Sequence, residues 1–161
     1  MRIPAACIDG WPAILLLGTL FLTGGCAFLE ARDETLPEGI PLRLEEARQR
    51  WERQRLSDYD VLLSRLCFCY PAGTFTVFVR ADTVRAVVSE ASGAVLDPEQ
   101  RRIFPTIDGF FDLVAQAQAG ADSLMVLYDP VWGVPTRIVI DWVEHAIDDE
   151  IRYEIHGLSV R

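Results

Sequence analysis

Apolar and polar residues alternate in two rhythms along this chain, and each rhythm predicts one kind of secondary structure. Leu44, Ala47 and Trp51 recur at helical intervals, which predicts a helix over about residues 42–56. A second helix is predicted over about residues 107–119, because a threonine suited to N-capping precedes this run and a glycine follows it. The two segments are therefore expected to be amphipathic helices.

Runs rich in Val, Phe and Thr predict three strands after each helix. In the last run Ile151, Tyr153 and Ile155 alternate with polar residues, which is typical of a sheet with one buried and one solvated face. The element order therefore predicts an α+β fold, with two helices packed on one face of a mostly antiparallel sheet of about six strands. The predicted strands cover residues 59–69, 74–80, 83–89, 123–129, 136–142 and 150–160.

The first 25 residues have the layout of a signal peptide, in which an apolar run at residues 11–22 precedes small residues and Cys26. This run is shorter than the roughly 18 to 20 residues needed to cross a bilayer, so removal is favoured over spanning. The segment before Cys26 resembles a bacterial lipobox, although Leu22 lies four positions before the cysteine where three is usual. The resemblance implies a mature chain that begins at a lipidated Cys26; an ordinary cleaved signal and an uncleaved anchor stay open.

Three regions follow from this layout: a signal peptide over residues 1–25, a lipidated cysteine and acidic tether over residues 26–41, and a single α+β domain over residues 42–161. The predicted location is the bacterial cell envelope, with the lipid-anchored domain facing the periplasm or held at the outer membrane. The expected partners are the membrane, through the lipid, and an envelope protein. Nucleic acid is excluded as a partner, because 24 acidic residues outnumber 15 basic ones for a net charge of -9.

The chain has four cysteines, of which Cys7 leaves with the signal and Cys26 carries the lipid. Cys67 and Cys69 remain, two residues apart on a predicted strand, where Cα atoms lie about 6.5 Å apart, just inside the range for a disulfide. A structural disulfide is favoured, while buried free thiols and a metal or redox site stay open. The strand around the pair is apolar on both faces, which predicts that the pair lies in the core; its apolar residues are Val61, Leu62, Leu63, Leu66 and Phe68.

Several of these features combine into one longer pattern: a helix Trp, a Tyr-initiated strand ending in Cys-x-Cys, a Val-rich hairpin, a Phe-rich helix, and a Tyr-Asp-x-x-x-Gly-x-Pro hairpin that leads to Asp and an acidic pair. The matching residues are Trp51, Tyr59, Cys67, Cys69, Val77, Val79, Phe110, Phe111, Tyr128, Asp129, Gly133, Pro135, Asp141, Asp148 and Asp149. Over residues 48–158 the chain thus resembles a family of small uncharacterised bacterial lipoproteins with a domain of unknown function. The resemblance implies an envelope location and an α+β fold, and no activity. The chain departs from the pattern at Ala81 and Asp82, where Asp-Gly is usual.

The sequence contains no Gly-x-Ser-x-Gly, Walker loop or His-Glu-x-x-His motif. It therefore predicts a non-enzymatic binding or structural module without a cofactor or metal; the alternative is a thiol-redox or metal-handling protein that uses Cys67 and Cys69. The candidate partner-binding residues are Tyr128, Asp129 and Trp132, because a Trp at the tip of a Pro- and Gly-framed hairpin is placed to dock a partner. Packing of Trp132 back over the sheet edge is the other interpretation.

Overall fold

The computed structural model of the protein describes residues 33–35, 39–146 and 148–161. The predicted signal peptide and the predicted lipidation site at Cys26 lie outside the described residues. Within the part of the chain that is described, no helix is long and apolar enough to span a membrane.

Three helices and seven strands alternate along the described chain in a largely symmetrical order. The helices are α1 (Leu44–Glu52), α2 (Pro98–Arg101) and α3 (Ile107–Gly120). The strands are β1 (Asp33–Thr35), β2 (Tyr59–Cys67), β3 (Gly73–Arg80), β4 (Thr83–Ser89), β5 (Ser123–Tyr128), β6 (Pro135–Asp141) and β7 (Ile151–Val160).

Six of these strands form one antiparallel sheet in the order β4-β3-β2-β7-β6-β5. Each half of the chain folds into a three-strand meander, and the two meanders join where β2 pairs with β7. The short strand β1 lies beside the C-terminal part of β7. The predicted α+β fold, with helices packed against a mostly antiparallel sheet, is confirmed.

The core lies between the sheet and the two long helices. Trp51 of α1 meets Tyr59 of β2 edge-to-face at a ring distance of 5.3 Å, and Phe110 of α3 meets Tyr153 of β7 in the same way at 5.1 Å. These aromatic side chains are buried because the apolar stripes of α1 and α3 face the sheet. The opposite face has no helix among the described residues, and it leaves the apolar side chain of Leu62 partly exposed.

Some element boundaries differ from the prediction for local reasons. Helix α1 is shorter than expected, and the chain after it turns away at Arg55, whose φ of 53° is left-handed. Helix α2 was missed, although its signals are in the sequence: Asp97 accepts hydrogen bonds from the backbone at Glu99 and Gln100, and Pro98 occupies the first turn. Four residues are too few for a visible periodicity, which is why the sequence pattern does not predict this helix.

Part of the predicted acidic tether takes up defined structure. Residues 33–35 pair with residues 157–159 of β7, and Ile40 exchanges two backbone hydrogen bonds of 2.8 Å with Tyr128. The described residues of the predicted tether therefore lie alongside the sheet.

The turn between β3 and β4 offers the first testable prediction. Ala81 and Asp82 both have left-handed φ values, 48° and 55°, which two-residue hairpin turns of type I′ require and which cost side-chain-bearing residues about 1 to 2 kcal/mol each. We expect Asp82→Gly to raise the free energy of unfolding by about 0.5 to 1 kcal/mol, since the relief of strain exceeds the added chain entropy. Thermal denaturation measures the change. Asp82→Ala keeps the strain and serves as the control; equal effects of the two substitutions would contradict the explanation.

Candidate functional site

The hairpin between β5 and β6 carries all three residues predicted to bind a partner. The Asp129 carboxylate is about 1% exposed and accepts hydrogen bonds from the backbone N–H groups of Val131, at 2.8 Å, and Trp132, at 2.5 Å. The Asp129 backbone N–H donates to the carbonyl of Val134 at 2.8 Å. Asp129 therefore holds the loop in shape from inside, as an aspartate in a turn commonly does.

Tyr128 also faces inward. Its ring stacks on Phe111 at a centroid distance of 6.3 Å, and its side chain is about 1% exposed. Burial raises the pKa of the Tyr128 hydroxyl to about 12, and the opposing effect of the nearby Arg48 is smaller. The tyrosine is thus a neutral core residue at ordinary pH.

The same hairpin packs tightly against α1. Gly133 has a φ of 75°, and a Cβ at this position would lie 2.1 Å from the carbonyl oxygen of Ala47. Arg50 of α1 donates a hydrogen bond to the Pro130 carbonyl. Trp132 is half-buried and packs against the core, in line with the folded-back interpretation. The hairpin residues accordingly have structural roles, and partner binding through them stays a prediction.

Cys67 and Cys69 lie at disulfide distance, with their Cα atoms 5.1 Å apart. The pair is at the end of β2, where the chain leaves the sheet. The neighbouring side chains are open to solvent: Phe68 is 81% exposed, Tyr70 is 79% exposed and Leu66 is 44% exposed. We call residues 66–70 the disulfide tip.

The expectation that the cysteine pair lies in the core is wrong. Helices cover one face of the sheet, so the alternate residues Leu62 and Leu66 point to the uncovered side despite being apolar. The chain then passes beyond the last ladder pair, Cys67 with Ile151, and no other described part of the chain covers Phe68. A sequence signal for this exit was available, because the pair is followed by "YPAG", a typical turn composition.

The surroundings of the cysteines bear on whether the pair could bind a metal. In the described part of the chain, no three His, Cys, Asp or Glu side chains are grouped closely enough to hold a metal ion. In the acidic loop before β7, Asp149 accepts the backbone N–H of Val143 at 2.7 Å, and Asp122, which lies just before β5, accepts that of Glu144 at 2.8 Å. These acids therefore shape the loop.

Sequence reasoning missed one pair with possible chemistry, because its members are far apart in the chain. The Ser64 hydroxyl lies 2.8 Å from Nε2 of His156 and 2.9 Å from the hydroxyl of Thr74. A serine nucleophile also needs donors for an oxyanion, and at Ser64 the backbone is paired with β3 on one side and β7 on the other. The three side chains are best described as a hydrogen-bonded row across the open face of the sheet.

A second missed cluster joins the sheet to the end of the described chain. The Asp60 carboxylate, 5% exposed, accepts from Arg80 at 2.7 Å and from Arg161 at 2.7 and 2.8 Å. Both arginines keep an exposed edge, so the cluster is a buried anion neutralised from the surface. It ties β2, β3 and Arg161 together and leaves no free carboxylate oxygen for catalysis.

Comparison with known proteins assigns the domain to a family. Residues 43–160 match the family of unknown function DUF6174. The chain belongs to this family. The match runs from the residue before α1 to the end of β7, so the DUF6174 domain is the α+β domain described above, and no activity comes with the assignment. A bacterial origin and a lipid anchor stay predictions. Neither the curated proteins nor the solved structures contain a match.

The exposed position of the cysteine pair leads to a second prediction. We expect replacement of both Cys67 and Cys69 by serine to lower the free energy of unfolding by less than about 2 kcal/mol, because a bridge across one residue restricts the unfolded chain little. Leu63→Ala in the same strand is the control. Leu63 is fully buried, and its truncation should cost about 2 to 5 kcal/mol. Urea denaturation measures both; a double serine variant as unstable as Leu63→Ala would show that the bridge supports the core.

Proposed function

We propose that this DUF6174 protein is a cell-envelope lipoprotein, anchored through Cys26, whose α+β domain is a non-enzymatic module that binds another envelope protein through the disulfide tip. The observation that carries the binding proposal is the exposure of Phe68 and Tyr70 on either side of Cys69. Large exposed aromatic side chains are enriched at the centres of protein interfaces, where they supply most of the binding energy. The bridge between Cys67 and Cys69 restricts the tip and lowers the entropy lost on binding.

The direction of the tip supports the same proposal. The chain enters the sheet at Asp33, which pairs with Ser159 near the end of β7, whereas Cys67 pairs with Ile151 at the start of β7. The eight steps from Ile151 to Ser159 span roughly 26 Å at about 3.3 Å per residue. A lipid attached upstream of Asp33 would leave the disulfide tip at the far end of the domain, away from the bilayer.

Charge around the tip indicates the kind of partner. A groove of about 430 Å³ lies beside Leu66 and Phe68, and its other walls include Asp148 and Glu150. Arg152 also lines the groove but lies 3.6 Å from the Glu150 carboxylate, so the acids are only partly neutralised. The expected partner surface is therefore apolar with a basic margin, and increasing salt should slow its association.

Anchoring is tested by Cys26→Ser. The variant should lose incorporation of labelled palmitate and move from the membrane fraction to the soluble periplasmic fraction. Cys7→Ser is the matched control, since this residue lies within the predicted signal peptide and should leave labelling unchanged. Continued palmitate labelling of Cys26→Ser would refute lipidation at this residue.

Binding is tested by site-specific photo-crosslinking in intact cells. A photoreactive phenylalanine analogue at position 68 should give one defined protein adduct, and Tyr70→Ala in the same chain should reduce its yield at least tenfold. The control is the same analogue at position 131, because Val131 is 68% exposed on a different loop. Equal adducts from both positions, or a yield that does not depend on Tyr70, would contradict docking through the tip.

Thiol-disulfide exchange is the second candidate function, and the exposure of Cys69 favours it. In such an exchange, a dithiol protein would pass two electrons and two protons to the bridge, forming two thiols here and a disulfide on the donor. Thiol-disulfide exchange and partner binding require different residues of the disulfide tip. The double serine variant of Cys67 and Cys69 would abolish exchange, whereas binding through Phe68 and Tyr70 should survive it within about threefold.

A further inference from the structure

The two edge strands of the sheet, β4 and β5, differ in how far other parts of the described chain cover their backbones. At edge strand β4, the following chain runs back along the strand: Ser89 donates to Ala94 at 2.9 Å, and Leu96 donates to Val87 at 2.8 Å. Arg101 adds a side-chain hydrogen bond to the β4 backbone at Arg85. This covering is a common way in which proteins protect an edge strand from pairing with another chain.

Edge strand β5 has no such cover along most of its length. Among the described residues, Ile40 pairs with Tyr128 at one end, and nothing pairs with the remainder. Tyr128 directs its backbone N–H and C=O outward to Ile40, and the alternation of an antiparallel strand directs those of Leu124 and Val126 outward as well. The edge therefore offers two N–H donors and two C=O acceptors in a row.

The side chains of β5 also favour pairing with another strand. The strand reads "SLMVLY", without a charge, a proline or a glycine, in a chain where 39 of 161 residues are charged. Met125 is 46% exposed on the open face, while Leu124 and Val126 on the helix side are only partly buried. An uncharged apolar edge of this kind lacks the lysines and prolines that discourage strand pairing.

We infer that β5 pairs with β5 of a second copy of the chain, in antiparallel register, to form a continuous sheet across two domains. A two-fold axis at Met125 places Leu124 opposite Val126 of the other copy, so that each exchanges both outward hydrogen bonds. Met125 meets its own symmetry mate, and no like charges face each other along the strand. Ile40 ends the new ladder at Tyr128, which fixes its extent to residues 123–127.

A second copy fits this edge better than an unrelated extended segment. Antiparallel pairing of identical strands satisfies the same donors and acceptors twice, and apolar side chains meet apolar side chains on both faces. The net charge of -9 on each copy opposes association, so salt should strengthen the dimer by screening the repulsion. This dependence on salt is opposite to that expected for the disulfide tip. The inference does not rest on the function proposed above.

Cysteine crosslinking in the full chain tests the register. At a non-hydrogen-bonded antiparallel pair the Cα atoms lie about 4.5 Å apart, within disulfide range, so Met125→Cys should form an intermolecular disulfide under mild oxidation. We expect this disulfide to form at least tenfold faster than the one in Val131→Cys, because Val131 is more exposed than Met125 but does not lie on the edge strand. Higher salt should increase the rate.

A second substitution distinguishes crosslinking that results from strand pairing from crosslinking by random collision. Val126→Pro removes an outward N–H, which β5 does not use for pairing with β6, so the monomer should keep its circular dichroism spectrum. Combined with Met125→Cys, it should reduce crosslinking to the rate of Val131→Cys. The inference is overturned if Met125→Cys crosslinks no faster than that control, if Val126→Pro leaves its rate unchanged, or if it forms a mixed disulfide with a different protein in place of the dimer.

Discussion

Replacing Gly133 by alanine should lower the free energy of unfolding by about 2 to 5 kcal/mol. The residue has a φ of 75°, which costs an alanine about 1 to 2 kcal/mol, and its new Cβ would lie 2.1 Å from the Ala47 carbonyl oxygen and 2.8 Å from Cβ of Arg50. Both obstacles belong to α1, so the hairpin and the helix must separate, at a further cost of about 1 to 3 kcal/mol. Urea denaturation measures the loss.

Gly93→Ala provides the matched control. Gly93 also has a left-handed φ, 69°, but nothing lies within 4 Å of a Cβ built there. It should therefore show the backbone cost alone, about 1 to 2 kcal/mol. If the two substitutions destabilise the protein equally, the close approach of the hairpin to α1 is not what requires glycine at residue 133.

Truncating Trp51 to alanine should have an effect of similar size, about 3 to 5 kcal/mol. The side chain is 3% exposed, it packs edge-to-face on Tyr59, and its Nε1–H donates to the Asp108 carboxylate at 3.3 Å. Alanine would leave a large cavity where α1 meets the sheet and the start of α3. Thermal and urea denaturation would record the change.

Two further variants serve as controls for Trp51→Ala. Trp51→Phe keeps an aromatic ring and loses the hydrogen bond to Asp108, so it should cost clearly less than alanine. Trp132→Ala should also cost less, because Trp132 is only half-buried. A loss for Trp132→Ala equal to that for Trp51→Ala would mean that the hairpin tryptophan, and not the helix tryptophan, holds the layers together.

These predictions separate the residues of the family pattern into two groups. Trp51, Asp129 and Gly133 serve the fold, because each holds α1 or the second hairpin against the rest of the domain. The Cys67 and Cys69 pair lies outside the core and frames an exposed surface. Stability assays should therefore report on the first group, and binding assays on the disulfide tip.

The order and type of the long elements were predictable from the sequence. Helix and strand periodicities arise from local backbone geometry, so β4 and α3 were placed to within one residue at each end. The α+β class followed from the alternation of two helices with six strands. The turn at Ala81 and Asp82 formed despite unfavourable residues, because the long pairing between β3 and β4 outweighs the local strain.

The position of the functional candidates was not predictable in the same way. Whether an apolar residue is buried depends on which layer lies over it, and that layer comes from residues distant in the chain. Phe68 was expected in the core and is exposed, whereas Asp129 was expected at a binding surface and is buried.

Local sequence patterns were enough to predict the two long helices, the six main strands and the fold class, since these depend on contacts within a few positions. Long-range packing sets which face of the sheet is covered, the pairing of β2 with β7, and the position of β5 at an edge that is mostly unpaired among the described residues. Layer packing and strand order depend on burial between residues far apart in the chain, and the same local patterns are compatible with several such arrangements.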